Sequence, residues 1–422
     1  EHDYPHCWRC KQPIIFRTTE QWFFKVEDMK DKMRQLNKKI EWVPESAGSR
    51  NFDSWLENLR DNGITRQRFW GTPLPIWECK NCKEFVVVGS LKELKELAGE
   101  VPEDLHKPKI DKVKLKCKCG SEMERSPDIL DVWIDAGSSS WNCLDYPREK
   151  EIFEKLFPAD FILEGIDQIR GWFNLLFVSS MVAMQKPSFK AVYMHGFIND
   201  ALGRKMSKSL GNYILPHEVI DKHGSDTLRY YLLGAASPGV DLNYNFDDMK
   251  VKNRNLTILW NLHNYLIDLY KTLEIKPSEL EYSKIKKSFD LEEKYMLSKL
   301  NSTIEEVTML FDQYKLNDVP LKVEELILKL SRTYLQLVRE KASIGIKDEK
   351  KAVLYTLYRT LFDSMLLFTP VAPFITEKIY LNLKEKFKLK EDSISMHPWP
   401  KAEKELIDKE LEENMEAIDE IT

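Results

Sequence analysis

The stretch FILEGIDQIRGWFNLLFVSSMVAMQKPSFKAVYMHGF, Phe161 to Phe197, decides how this chain is read. Phe161-Ile162-Leu163 is a short apolar run that ends on Glu164-Gly165, the pattern of a strand and its terminus. From Asp167 to about Gln185 the apolar residues recur at helical spacing. Lys190 to Phe197 closes the stretch with β-branched and aromatic residues, a second strand. Strand, helix, strand of this length predicts a βαβ unit with parallel strands and a right-handed crossover. In such sheets ligands bind beyond the carboxyl ends of the strands. Those ends carry Glu164-Gly165 and His195-Gly196.

Directly after them runs GRKMSKSLGN, Gly203 to Asn212. It offers two ammonium groups, Lys205 and Lys208, on a Gly-flanked segment with little to bury. Such groups suit the charge that develops on a transferring phosphate. A solvated turn with two lysines is the plain alternative, and the position after a strand end favours phosphate. Trp133 and Trp172 lie close to the sheet ends, beside Asp135 and Gln168, and are either core or the walls of a rigid apolar slot. Glu164, Asp167 and Gln168 form a polar cluster, although a capping role explains Asp167 equally well. Arg66, Arg68, Trp70 and Trp77 mix basic and aromatic groups, which suits RNA contact or domain packing.

With 422 residues the chain has room for two or three cores, and 43% hydrophobic with 31% charged residues describes an ordinary globular composition. The net charge of −5 carries no overall nucleic-acid signal, although an acidic whole can present a basic face. No apolar run reaches the roughly 18 residues of a membrane span. The opening Glu1-His2-Asp3-Tyr4 forms no signal peptide and reads as an internal cut in a longer protein.

The sequence predicts an α/β part followed by an all-α part. Residues 1–76 alternate polar loops with Trp- and Arg-rich segments, and 77–126 look like a small inserted module. Residues 127–245 form the α/β region. From about Asp247 long amphipathic patterns follow, Lys250–Leu273, Leu291–Tyr314, Leu321–Lys341 and Lys350–Phe368, which predict a helical bundle over 246–400. Residues 401–422 read as an acidic helical extension into a further part of the protein.

Six of the seven cysteines fall in close pairs, which points to metal in a reducing compartment. Cys79-x-x-Cys82 and Cys117-x-Cys119-Gly120 make two knuckles, together a closed four-thiolate zinc site of structural type. Cys7-x-x-Cys10 stands alone and supports a redox motif, half a metal site or nothing; half a zinc site is preferred, since no βαβ start adjoins it. Cys143 reads as core.

These residues resemble a family. GRKMSKSLGN is similar to the second signature of the class I aminoacyl-tRNA synthetases. ITRQRFWGTPLPIW (Ile64–Trp77), DILDVWIDAGSS (Asp128–Ser139), EGIDQIRGWF (Glu164–Phe173) and HGFIND (His195–Asp200) look like the isoleucyl branch, in its archaeal or eukaryotic form. The resemblance runs from Tyr4 to about Pro400. It implies the second half of a Rossmann-like catalytic domain with a zinc-knuckle insertion, then an anticodon-binding helical bundle. It also implies activation of isoleucine by ATP, with Mg2+, and transfer of the isoleucyl group to tRNA(Ile), in a cytoplasmic enzyme expected to be monomeric. Lys205 and Lys208 would stabilise the transferring phosphates, and Met206, Ser207 and Ser209 would shape the loop. His195, Gly196 and Phe197 would lie along the adenine. Glu164, Gly165, Asp167 and Gln168 would meet the ribose and the amino-acid head. Trp133 and Trp172 would flank the isoleucine side chain. Cys79, Cys82, Cys117 and Cys119 match one family zinc site, and Cys7 and Cys10 half of another. One methylene in an apolar slot is worth only about 1–3 kcal/mol, a limit for which isoleucyl enzymes are themselves the usual illustration. The family adds an editing domain, which in its order precedes residue 1.

One departure matters. The family's first signature, His-x-Gly-His, is absent from all eight histidines of the chain: His2, His6, His106, His195, His217, His223, His263 and His397. These residues alone are therefore expected not to form the adenylate. A non-catalytic tRNA-binding module and a valyl-type synthetase are the competing readings.

Overall fold

The computed structural model describes residues 4–7, 10–207, 210–273, 275 and 279–421. The chain divides into two compact units, 1–194 and 195–422.

In the first unit the strand–helix–strand prediction is met. The strand Ile162–Gly165 leads through a 3-10 turn, Ile166–Arg170, into the helix Trp172–Met184, and the strand Ala191–His195 follows. Gln185 ends the helix in the left-handed region at φ 58°. The helix is buried from Phe173 to Met181, the polar Asn174, Ser179 and Ser180 included, so this stretch has no solvent face and its residues are mostly apolar. Ala191–His195 is the middle strand of three, between Ile162–Gly165 and Glu41–Val43. A parallel bridge joins Ala159 to Phe189, and Glu41–Val43 pairs parallel with Ala191 to Tyr193.

That third strand comes from within the first 76 residues. Around it Trp42 packs edge-on against Phe173 at 5.9 Å, and Phe52 against Phe177 at 5.7 Å. The Trp42 indole donates to Asn37, and Asn37 donates to the Gly48 carbonyl, so the polar atoms buried here are partnered.

The module after Pro75 is a four-stranded antiparallel sheet in the order Phe85–Val87, Ile76–Cys79, Glu122–Arg125, Leu115–Lys116. The helix Leu91–Ala98 accompanies it, its first turn capped by the Ser90 hydroxyl. Trp77 belongs to this core: it is buried and donates its indole N–H to the Val113 carbonyl.

The second unit is dominated by the helices Phe246–Leu273, Leu291–Asp312, Val319–Lys329, Lys347–Phe368 and Pro373–Phe387 around one large apolar core. The pattern Leu321–Lys341 predicts one helix, but a π-helical stretch, Leu330–Tyr334, interrupts it. Asp226 accepts from the amides of Phe374 and Ile375, at the start of the helix Pro373–Phe387, and Arg229 donates to the Pro370 and Val371 carbonyls. The acidic tail forms the helix Lys409–Ile421, which is held to Leu291–Asp312 by Ser298–Glu412 and Lys299–Glu416 contacts. No helix among the described residues is long and apolar enough to cross a membrane.

Candidate active site and metal centre

In the first unit the sequence-predicted pocket residues converge on Gly171. Gln168 accepts from the Trp172 amide through Oε1 at 2.9 Å and donates through Nε2 to Asp167 at 2.9 Å. The Trp172 indole donates to the Ala136 carbonyl at 3.1 Å, tying it to the helix Val132–Gly137 that carries Trp133. A methyl on Gly171 would lie 2.7 Å from Gln168 Oε1 and 3.4 Å from the Trp133 ring, so a side chain here would displace the Gln168 carboxamide. Trp133, Trp172, Asp167 and Gln168 therefore form one connected cluster, in which Trp133 remains 40% exposed. Glu164 is exposed on the preceding strand, and Gly165 is buried.

Asp131, which the sequence analysis did not name as a site residue, caps the helix that carries Trp133. It accepts from the Trp133 amide, is nearly buried and forms an ion pair with Arg66. Arg66 is thereby committed within the protein. Phe69 and Trp70 are exposed, with Trp70 stacked on His106 at 4.6 Å.

In the second unit His195 and Phe197 are exposed around buried Gly196. The His195 Nδ1–H donates to the Gly196 carbonyl at 2.7 Å, which leaves Nε2 for other partners. A Cβ on Gly196 would lie 2.3 Å from the carbonyl carbon and oxygen of Val240, so no side chain fits against that backbone. Gly196→Ala is accordingly expected to destabilise the unit by about 1–3 kcal/mol, read as a lower urea midpoint; an unchanged midpoint would refute the close approach. Phe197 supplies a ring face at 5.1 Å from Lys205 Nζ. Met206 packs on a small cluster of Val219, Tyr231, Tyr244 and Met249. Lys208 and Ser209 lie outside the described residues. Two further residues hold the loop: Asp200, whose carboxyl is pulled well down by the Asn212 carboxamide and then by Arg204, and Asn212 itself.

The four cysteines of the inserted module converge. Cys79 and Cys119 Sγ are 3.6 Å apart, Cys82 and Cys117 3.5 Å, and all four sulfurs lie within 4.8 Å of one another. Tetrahedral zinc with bonds of about 2.3 Å needs sulfurs about 3.8 Å apart, so the donor set fits that ion. Hydrogen bonds from Ser121, its side chain first and its amide next, bring the Cys119 thiol down to about 6, whereas the Cys82 and Cys117 thiols in the same cluster are raised.

The backbone bonds that flank Cys7 and Cys10 repeat those that flank the first knuckle. Lys83 N donates to Cys79 O and Cys79 N to Glu84 O; Lys11 N donates to Cys7 O and Cys7 N to Gln12 O. Lys83 and Lys11 both adopt positive φ, 63° and 60°. No group of three or more metal-capable side chains includes Cys7 or Cys10 among the described residues. The acidic group Asp290, Glu292 and Glu293 already surrounds the Lys341 ammonium, at 2.8, 3.0 and 3.1 Å.

The family model for "tRNA synthetases class I (I, L, M and V)" matches residues 8–245, and that for "Anticodon-binding domain of tRNA ligase" matches 293–422. The chain belongs to the class I tRNA synthetases. Among the curated relatives of this synthetase chain, the isoleucine–tRNA ligase of Methanothrix thermoacetophila is 42% identical over 426 residues, covering 100% of the chain and 40% of the relative. Those of Methanopyrus kandleri and Archaeoglobus fulgidus are 41% and 42% identical, again over 40% of their own length. The synthetase chain thus spans about 40% of the length of the curated relatives it matches. Its fold is similar to that of a Mycobacterium tuberculosis methionyl-tRNA synthetase bound by methionyl-adenylate, with TM-score 0.63, 20% identity and 94% of this chain and 71% of that one covered. An Agrobacterium radiobacter LeuRS in a ternary complex with tRNA and LeuAMS gives TM-score 0.61 at 23% identity, covering 86% of this chain and 46% of that one.

Proposed function

We propose that this chain carries the phosphate-side half of the catalytic domain, the zinc module and the anticodon-binding bundle of an isoleucine–tRNA ligase. The protein activates isoleucine with ATP, as its Mg2+ complex, and transfers the isoleucyl group to tRNA(Ile); it works as a cytoplasmic monomer. The observation that supports this most is identity of about 40% along the whole chain to proteins named isoleucine–tRNA ligase.

The reaction cleaves the bond between the α- and β-phosphates while the isoleucine carboxylate attacks the α-phosphorus. Negative charge grows on the departing pyrophosphate, and Lys205 and Lys208 neutralise it where it develops. The exposed His195, Gly196 and Phe197 edge takes the adenine. Glu164, Gly165, Asp167 and Gln168 receive the ribose and the ammonium head, where carboxylates suit a cation and a carboxamide serves as donor or acceptor. Trp133 and Trp172 bound the aliphatic side chain, rigid because Gln168, Ala136 and Asp131 hold them. Cys79, Cys82, Cys117 and Cys119 would hold zinc, which would supply stability to the small module rather than chemistry; Cys7 and Cys10 would supply half of a second zinc site.

Amino-acid-dependent exchange of pyrophosphate into ATP by the full-length protein tests this reading. Isoleucine supports turnover, and valine supports it about 100-fold less well. Valine preferred over isoleucine would make the enzyme valyl-type.

A second reading covers the 422 residues by themselves. They contain no His-x-Gly-His, and 293–422 match an anticodon-binding domain, so alone they bind tRNA without activating isoleucine. Their affinity for tRNA(Ile) falls as salt rises, the mark of phosphate contacts.

A further inference from the structure

Resting on the isoleucine-activating reading above, we propose that Asp200 and Asn212 are positioning residues that latch the Lys205–Ser207 backbone for adenylate formation.

Little burial holds this loop. Ala201 to Lys205 are exposed, and Gly211 is exposed on the far side. The chain turns back at Gly203, φ 76°, so that Lys205 bridges to Asn199, whose strand, Ile198–Asn199, pairs with Leu242–Asn243. From there polar pins take over. Asp200 is buried, and its carboxylate accepts from the Leu202 amide at 3.0 Å, the Arg204 amide at 2.9 Å, Arg204 Nε at 2.9 Å and Asn212 Nδ2 at 3.0 Å. Asn212 uses both ends of its carboxamide. Oδ1 accepts from the Ser207 amide at 2.9 Å, while Nδ2 donates to Asp200 and to the Lys205 carbonyl at 3.2 Å.

Only a carboxamide can satisfy an N–H, a carbonyl and a carboxylate together. An aspartate of the same shape would face Asp200 and the Lys205 carbonyl with no donor. The Met206 side chain adds an apolar anchor. The result fixes the backbone on both sides of Met206 and leaves the Lys205 side chain reaching outward over Phe197. A few hydrogen bonds can open and close between turnovers, which suits a loop that must hold pyrophosphate and then let it go.

The test uses the full-length protein with Asn212→Ala and the isosteric Asn212→Asp. Hydrogen exchange at the Ser207 amide, read in peptides spanning the loop, is expected to speed up by about tenfold or more in both. The kcat of isoleucine-dependent pyrophosphate exchange falls about 100-fold, while the KM for isoleucine and transfer from preformed isoleucyl-adenylate to tRNA stay within about twofold, because misplacement by about 1 Å costs rates of that order. Asn212→Asp is at least as impaired as Asn212→Ala; rescue by aspartate would reduce Asn212 to a space-filling role and overturn the proposal. Unchanged amide exchange overturns the latch, and faster exchange with unchanged kcat overturns the positioning role. A wild-type protein that gives no isoleucine-dependent exchange overturns the functional reading and the positioning role with it, while the amide exchange still reports on the latch separately.

Discussion

Replacing Lys208 by alanine in the full-length protein lowers the rate of isoleucyl-adenylate formation about 10²–10³-fold, the usual loss when a single group that meets developing charge is removed. The charge it meets belongs to the departing pyrophosphate and grows only as the α–β bond breaks. Its contribution therefore falls on kcat, and the KM for isoleucine stays where it was. Lys205→Ala gives a smaller loss, since the Lys205 ammonium also rests over the Phe197 ring and its backbone keeps the Asn199 and Asn212 contacts without the side chain. Single-turnover adenylate formation measures both. Equal losses in kcat and in isoleucine affinity for Lys208→Ala would contradict a role confined to the leaving group.

Removing the metal from the four-cysteine centre opens the module that surrounds it. That core has only nine buried apolar or cysteine side chains, two of which are the ligands Cys79 and Cys117. A core of this size rarely supports itself, whereas structural zinc contributes about 10–16 kcal/mol in small zinc-folded peptides. Purified chain is expected to carry one zinc, and Cys117→Ser to carry none. The variant becomes sensitive to trypsin between Lys80 and Lys118, while the helical circular dichroism of the bundle persists. Acid releases the ion, because every ligand must be a thiolate. Two zinc ions per chain would contradict the reading of Cys7 and Cys10 as half a site, and unchanged trypsin resistance in Cys117→Ser would contradict the metal's structural role.

The strand–helix–strand unit was legible because its elements announce themselves: Phe161-Ile162-Leu163, a long and mostly apolar helix and KAVYMHGF give pattern enough to read. Glu41–Val43 was not, since three residues carry no period and only their pairing with Ala191 to Tyr193 makes them a strand. The helix Pro373–Phe387 hid behind its proline, which reads as a breaker but stands at the helix start, where its missing N–H costs nothing. Trp77 looked like Trp70 in sequence. Burial alone separates them, one inside the module and one 68% exposed. At the site, chemistry-bearing side chains such as Lys205, Gln168 and the cysteines could be read from type and spacing. Asp131, Asp200 and Asn212 could not, because their work is to bind nearby backbone and paired side chains, and such partners appear only once the chain has turned. The signal they carried was their place in the quoted blocks, Asp131 in DILDVWIDAGSS, Asp200 at the end of HGFIND and Asn212 at the end of GRKMSKSLGN.

Isoleucine-dependent pyrophosphate exchange by a polypeptide of these 422 residues tests the account most directly. Lys205 and Lys208 are present and no His-x-Gly-His accompanies them, so the predicted result is no exchange above the level without isoleucine, alongside salt-sensitive binding of tRNA(Ile). Sustained isoleucine-dependent exchange by these residues alone would contradict it.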